Sequence, residues 1–134
     1  MPNNDTSILK QYIHLETLDI GRLYFFKNYV VAEFNEGVTI DFITFEPCHR
    51  LIKKAFGTED FGFISNRVNS YSIMITEAYL FNKAFPTAKA YATVTYNLSA
   101  KKITAIEDHF FKFNKKDFNN LEEAVAWVKA TLNN

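Results

Sequence analysis

Residues 61–72 are the stretch that most constrains how this chain can fold. They begin with a short apolar run from Phe61 to Ile64, continue as a polar segment without Gly or Pro, and lead into a helical pattern. The apolar run predicts a buried strand, and the polar segment predicts a loop that ends at a helix N-terminus. Open α/β sheets place their binding surfaces at junctions of this kind. The residues expected to form the binding surface are Ser65, Asn66, Arg67, Asn69, Ser70, Tyr71 and Ser72.

Composition limits the classes of protein that the chain can represent. Its 134 residues are 48% hydrophobic and 22% charged, which is typical of one globular domain and not of a disordered chain. Lys plus Arg equals Asp plus Glu, 15 of each. Nucleic-acid-binding proteins usually carry an excess of basic residues, so we predict no nucleic acid partner.

Cysteine content and hydropathy indicate the cellular compartment. Cys48 is the single cysteine, so the chain has no internal disulfide and no zinc-ligand spacing. No apolar run approaches the ~18 residues of a membrane span. Residues 1–5 lack the charged-then-apolar order of a signal peptide. These features predict a cytoplasmic protein without a membrane span.

The first half of the chain predicts a hairpin followed by a helix. Residues 1–19 carry weak signals and are predicted to be a partly ordered lead-in to a single domain over residues 20–134. Apolar runs on both sides of Lys27-Asn28 are rich in β-branched and aromatic residues, which favours a β-hairpin. Thr39 is expected to cap a helix that runs to Phe56. Because Pro47 would remove a hydrogen bond at a cost of ~3 kcal/mol, a kink or two short helices are expected there.

The second half predicts alternating helices and strands. In the helix expected to begin at Ser99, Ile103, Ile106 and Phe110 should face the core. The other predicted elements are a helix from Ile75 to Phe85, a strand from Ala88 to Tyr96, a short strand near residues 116–118 and a helix that begins at Asn120. The order β-β-α-β-α-β-α-(β)-α predicts an α/β domain with a four- to five-stranded mixed sheet and about four helices.

Three polar segments follow predicted strands and precede predicted helices. They are Asn35-Glu36, residues 65–67 and residues 97–99. If the three strands are parallel, these segments share one rim of the sheet, where helix N-termini favour anions and Arg67 would be the charged contact. The alternative is that Asn and Ser only cap helices and turn the chain.

The order of elements and several short stretches resemble the STAS/SpoIIAA-like domains. The stretches are residues 34–37, 61–67, 94–97 and 121–124, within a similarity over about residues 20–132. These small α/β domains of bacterial anti-sigma-factor antagonists share their fold with the lipid-binding Sec14-like (CRAL-TRIO) domains. Within the family, the stretches look like an uncharacterised branch found in Bacteroidetes-type bacteria.

The resemblance implies a place for a regulatory serine, and this chain departs from the pattern there. Antagonists of the family carry a phosphorylatable serine in an Asp-Ser-Ser-Gly-like stretch after the third strand. Ser72 is the nearest match, but Tyr71 stands in place of the Asp and no Gly follows. We therefore expect residues 65–72 to bind a partner without a phosphorylation switch.

No pattern of catalytic residues is present in the sequence. His14, His49 and His109 share no spacing motif, and no phosphate loop or nucleophile elbow appears. Together with the resemblance, this predicts a non-catalytic, regulatory protein-interaction module without metal or cofactor. The sequence is also compatible with a homodimer.

The alternative is a carrier of a small apolar or lipid-like ligand. A carrier needs an enclosed cavity of roughly 300 Å³ or more that is lined by aromatic rings, whereas an interaction module needs a solid core and an exposed apolar patch.

Overall fold

The computed structural model describes residues 6–133 and contains one six-stranded mixed sheet. The strands lie in the order β1-β2-β3-β5-β7-β8. Their bounds are β1 His14–Leu18, β2 Gly21–Phe25, β3 Tyr29–Phe34, β5 Phe61–Arg67, β7 Ala88–Thr95 and β8 Lys115–Phe118. A separate two-stranded ribbon pairs β4, Thr39–Ile40, with β6, Ser72–Ile73.

Five α-helices accompany the sheet within the described residues. They are α1 Thr6–Leu9, α2 Glu46–Phe56, α3 Ala78–Ala84, α4 Leu98–Glu107 and α5 Leu121–Leu132. A 3₁₀ turn over Ile75–Glu77 leads into α3. None of the described helices is long and apolar enough to cross a bilayer.

Strand direction places the ends of three strands at one rim. β1, β2 and β3 form an antiparallel meander. β3, β5, β7 and β8 run parallel to one another. The carboxyl ends of β3, β5 and β7 therefore meet at the same edge, as the sequence predicted for parallel strands. This edge carries the polar residues described in the next section.

The mixed α/β architecture is confirmed, and the predicted number of strands is wrong. The hairpin of β2 and β3 around Lys27-Asn28 and the helix α5 capped by Asn120 are present as predicted. The sheet has six strands instead of four or five, and there are five described helices instead of about four.

The additional main-sheet strand lies inside the predicted lead-in of residues 1–19. β1 is an outer strand whose residues are at most half-buried, so its apolar pattern is weak. Residues 1–5 of that lead-in lie outside the described residues.

The helix predicted from Thr39 to Phe56 begins later than expected. Thr39 and Ile40 pair with β6, a turn follows, and α2 begins at Glu46 with Pro47 in its first turn. Proline is tolerated there because a first-turn N–H has no partner within the helix. No kink is needed, since the expected break is the helix start itself.

The two faces of the sheet are packed by different kinds of side chain. The face under α2 and α3 is aromatic and includes Phe34, Phe45, Phe61, Phe81 and Phe111. The opposite face packs small and aliphatic side chains of the sheet against α5. Residues on that face include Val31, Ile64, Ala92, Val94, Leu121, Ala124 and Val128.

Close approach of α5 to β5 predicts that Gly62 does not tolerate a side chain. A Cβ at Gly62 would overlap Cγ1 of Val128. Gly62→Ala should lower the free energy of unfolding by about 1–3 kcal/mol, the usual effect of overpacking a core. Urea unfolding followed by circular dichroism measures this change.

The matched control is the same substitution in a Val128→Ala background, where the overlapping methyl group is gone. There the additional loss from Gly62→Ala should be small. An equal loss in both backgrounds would show that contact with Val128 is not the cause.

Candidate functional site

β5 continues through the predicted binding segment as a strand. Ser65, Asn66 and Arg67 pair in register with Thr93, Val94 and Thr95 of β7, and all three are buried. The expectation that residues 65–67 form a loop is therefore wrong. The neighbouring strand satisfies their backbone groups, a tertiary effect that overrides the weak strand preference of Asn and Ser.

Arg67 forms a buried ion pair with Glu107 of α4. Both side chains are 2% exposed, and the guanidinium contacts both carboxylate oxygens, with Nη1 3.2 Å from Oε2. The Arg67 Cζ atom also lies 4.7 Å from the ring centroid of Tyr71. This bidentate geometry is the favoured arrangement for arginine and carboxylate.

The surroundings of Arg67 hold it in its charged form. Burial alone would lower the pKa of the guanidinium, but the phenol oxygens of Tyr71 and Tyr91 and the carboxylate of Glu107 raise it. The charge is neutralised inside the protein. The predicted role of Arg67 as a surface contact for an anion is therefore corrected, because its donors face Glu107 and not solvent.

Ser65 and Tyr71 complete the cluster on this face of β5. Their hydroxyl groups contact each other, and both residues are buried. Burial raises the pKa of Tyr71 and of Tyr91. Both phenols are therefore neutral hydrogen-bonding groups at physiological pH.

Asn66 points to the opposite face and organises a second polar cluster. Its Nδ2 donates to Oε2 of Glu33 at 2.7 Å, and its Oδ1 accepts from the hydroxyl of Tyr96 at 2.5 Å. The Tyr24 hydroxyl lies 3.4 Å from the other Glu33 oxygen. Burial raises the pKa of Glu33, although its hydrogen bonds oppose the shift, and burial raises the pKa of Tyr96 to about 12.

The loop after β5 is tied to the turn after β3. Asn69 Nδ2 donates to the carbonyl oxygen of Phe34 at 3.0 Å, and the Ser70 N–H donates to Glu36 at 2.8 Å. The N–H of Gly37 donates to the Ser70 carbonyl oxygen at 2.7 Å. The rim segments after β3 and β5 therefore contact each other, as expected for parallel strands.

Three of the seven predicted binding residues reach the surface. Ser70 is exposed, and Asn69 and Ser72 are half-buried. Ser72 belongs to the ribbon strand β6 and lies beside Thr39, with hydroxyl oxygens 3.4 Å apart. Partner binding by these three residues remains a prediction.

Helix α4 is rotated about its axis by roughly a quarter turn from the predicted orientation. Asn97 caps it through the N–H of Ala100, in place of the predicted Ser99. The buried residues of the helix are Ala100, Thr104 and Glu107. The most exposed large apolar residues on α4, or directly after it, are Leu98, Ile106 and Phe110. Their exposed fractions are 66%, 54% and 42%.

The expectation that Ile106 and Phe110 face the core is wrong, and Ile103 is only half-buried. The ion pair gives the physical reason. A buried arginine needs a carboxylate, and supplying Glu107 turns the apolar residues of α4 outward.

An aromatic cavity of about 50 Å³ lies between the sheet and α3. It is several times smaller than the roughly 300 Å³ of an ordinary ligand site. Its aromatic lining residues are Phe34, Phe45, Phe61, Phe63, Phe81, Phe85, Tyr91, Phe111 and Phe113.

Sequence reasoning missed three residues of the two polar clusters. Glu33 had a usable signal, because it is the single charged residue in the otherwise apolar strand β3. Glu107 lies within the helix predicted from Ser99, and Tyr91 lies within the strand predicted from Ala88 to Tyr96. Neither could be found without knowing how β5, β7 and α4 are placed relative to one another. Across residues 6–133, no three His, Cys, Asp or Glu side chains converge as metal ligands would.

Comparison of the sequence with protein-family models and with curated proteins gave no match. Comparison with solved structures found an uncharacterised protein of the DUF3478 family from Shewanella loihica, which has a SpoIIAA-like fold. The TM-score is 0.55, with 86% of this chain and 90% of that chain covered. This chain has a SpoIIAA-like fold. At 12% identity the likeness shows the fold and carries no function.

Removing one member of the buried ion pair should strongly destabilise the protein. Arg67→Met or Glu107→Leu leaves the other charge buried without a partner, which costs about 3–5 kcal/mol. The double variant Arg67→Met/Glu107→Leu should recover most of that loss, because neither charge remains. Urea unfolding of the three variants measures the coupling.

The exposed pair of Arg50 and Glu46 on α2 is the matched control. Arg50→Met should change stability by only about 0–1 kcal/mol, as is usual for surface pairs. If Arg67→Met lost no more than Arg50→Met, the Arg67–Glu107 pair would not be a structural constraint.

The environment of Glu33 predicts a pH-dependent stability. Its pKa in the folded protein is raised above the ordinary 4.5 by burial, so the folded state keeps a proton that the unfolded chain releases. Stability should therefore fall as pH rises through the window just above 4.5.

Glu33→Gln removes this titration. The melting temperature of the variant relative to the parent should rise across that window and stay constant below it. Glu122→Gln, at an exposed position on α5, is the control. A difference for Glu33→Gln that does not vary with pH would contradict the assignment.

Proposed function

We propose that this protein is a non-catalytic interaction module that docks a partner protein on the outer face of α4. The observation that carries the proposal is the rotation of α4 about its axis. Its charged Glu107 is buried, whereas Leu98, Ile106 and the following Phe110 are exposed. Apolar side chains grouped on a surface usually mark an interaction site.

Helix geometry places the exposed residues of α4 together. At 100° per residue, Leu98 and Ile106 lie about 80° apart around the axis, and Lys102 falls between them. Phe110 follows in the turn after the helix, where its N–H bonds to the Glu107 carbonyl oxygen. The surface formed by Leu98, Lys102, Ile106 and Phe110, here named the α4 surface, suits an apolar partner segment that carries a carboxylate.

Neighbouring elements extend the α4 surface. Asn82 of α3 donates to the carbonyl oxygen of Phe110 at 3.2 Å, so the two elements are adjacent. Tyr79, one turn earlier on α3, is also largely exposed. Tyrosine is enriched at protein interfaces because it combines a large apolar ring with a polar end.

The predicted loop residues connect to this surface through Arg67. Glu107 of α4 pairs with Arg67, whose guanidinium lies over the ring of Tyr71 in the loop. Asn69, Ser70 and Ser72 offer polar contacts on the surface of that loop. A partner on the α4 surface and the loop would contact both elements that the ion pair joins.

The proposal assigns no catalysis to the buried polar clusters. Arg67 pairs with Glu107, Ser65 with Tyr71 and Asn66 with Glu33. Among the described residues, the Nε atom of Arg67 is buried without a hydrogen-bond partner, whereas its two terminal nitrogens bind Glu107. Burial raises the pKa of the Cys48 thiol to about 12, which disfavours its nucleophilic form.

A carrier of a small apolar ligand is the second candidate, supported by the aromatic cavity under α3. Its volume of about 50 Å³ would have to grow severalfold to hold a lipid-like molecule. The size of the cavity is why the interaction module ranks first.

Substitutions on the α4 surface should remove partner binding without unfolding the protein. Ile106→Ser and Phe110→Ser should each weaken binding by more than about 1 kcal/mol if these residues anchor the interface. Their melting temperatures should stay near that of the parent, because the side chains are exposed. Affinity capture from source cells identifies partners that the parent retains and the variants lose.

Ile43→Ser is the control, because Ile43 is a strongly exposed apolar residue outside the α4 surface. It should retain the partner. Partners retained equally by all variants would argue against the α4 surface. Native mass spectrometry that finds an apolar molecule bound in stoichiometric amount would favour the carrier instead.

A further inference from the structure

The two outer strands of the sheet differ in how they are protected against pairing. Within residues 6–133, β1 and β8 each pair with one strand of the main sheet. β8 carries Lys115, Lys116 and Asp117, and charged side chains discourage further pairing at an edge. β1, His-Leu-Glu-Thr-Leu, has neither lysine nor proline. Among the described residues, the main-chain donors and acceptors of β1 that point away from β2 have no strand partner.

A cleft borders β1 on the face of the sheet turned toward α2, whereas Leu15 on the other face packs in the cluster that contains Leu9 of α1. A cleft of about 480 Å³ separates β1 from the carboxyl-terminal half of α2. Ile13, directly before β1, is 72% exposed, and His14 is also exposed. An added strand would therefore meet the exposed side chains of Ile13 and His14 beside this cleft.

The sequence of β1 is complementary to itself in one antiparallel register. When Leu15 lies opposite Leu15 of a second copy, His14 lies opposite Glu16 of that copy, and Glu16 lies opposite His14. The two neighbouring symmetric registers place Glu16 opposite Glu16 or His14 opposite His14. A histidine ring can donate a hydrogen bond to a carboxylate, whereas two carboxylates placed opposite each other repel, so the first register pairs complementary groups at both positions.

We propose that two copies of this chain associate through β1, antiparallel, with a twofold axis at Leu15. The six-stranded sheets of the two copies then form one continuous sheet. His14 and Glu16 already contact each other within one copy, so the pairing brings four such groups together. Ile13 of each copy comes to lie opposite Thr17 of the other.

This inference does not depend on the proposed function. β1 lies at one edge of the sheet, whereas α4 follows β7 near the other edge. The association leaves the α4 surface of each copy free. Loss of association through β1 therefore does not imply loss of partner binding at the α4 surface, and the reverse also holds.

Charge exchange across the interface tests the register. Sedimentation of the purified full chain should show a dimer. His14→Glu places Glu opposite Glu at two positions and should weaken the dimer by about 10-fold. The double variant His14→Glu/Glu16→His restores opposite partners and should recover the dimer. Circular dichroism confirms that each variant is folded.

Cysteine cross-linking locates the axis. Leu15→Cys should form an intermolecular disulfide on oxidation, because directly opposite residues have Cα atoms about 4.5–5.5 Å apart. Thr17→Cys is the control, because its symmetry mate would lie four residues along the strand, roughly 13 Å away. The native Cys48 is buried and should not react.

A chain that stays monomeric at every concentration would overturn the proposal. So would equal cross-linking of Leu15→Cys and Thr17→Cys, or a dimer whose strength is unchanged by His14→Glu. Recovery in the double variant, together with cross-linking at Leu15→Cys alone, supports it.

Discussion

The buried ion pair between Arg67 and Glu107 is the constraint on which the carboxyl-end rim depends. A buried guanidinium at the carboxyl end of the inner strand β5 needs a carboxylate that is equally removed from water. Glu107 of α4 supplies it. The pair therefore fixes the rotation of α4, and that rotation exposes Leu98, Ile106 and Phe110. The need to pair a buried charge thus determines which side chains α4 exposes to solvent.

The strand that carries Arg67 also joins the two faces of the domain. Successive residues of a strand point to opposite faces, so Ser65 and Arg67 belong to one polar cluster and Asn66 to the other. One face is packed with aromatic rings under short helices, and the other with small and aliphatic side chains under α5. Close approach at Gly62 is possible on the second face because its side chains are small. The rings of the first face leave the aromatic cavity, because large rigid groups rarely fill a space completely.

Regular periodicity decided which parts of the fold could be predicted from sequence. The hairpin of β2 and β3, the strands β5 and β7, and α5 have strong apolar patterns, and all were predicted. β1 was missed because its residues are at most half-buried, so its sequence shows only a weak apolar pattern. The start of α2 was misplaced because Thr39 resembles a helix cap but pairs with β6. Local signals do not report such pairing.

The candidate site was less predictable because it depends on contacts between distant segments. Residues 65–67 were singled out by their position after a buried strand, and their polarity suggested a loop, whereas they continue strand β5. Glu107 is 40 residues from Arg67 in the chain, and no local pattern links them. The pairing of Glu107 with Arg67 sets the rotation of α4. A prediction based only on the spacing of apolar residues in α4 therefore turned the wrong side of the helix toward the core.

The same ion pair limits how the sequence can change over generations. Loss of either Arg67 or Glu107 alone passes through an intermediate with an unpaired charge in the core, which selection removes. Loss of both together leaves a space that apolar side chains can fill. Among descendants of a common ancestor, the two positions should therefore vary jointly. A lineage that has exchanged the pair for apolar residues would also be free to rotate α4 and bury its apolar side.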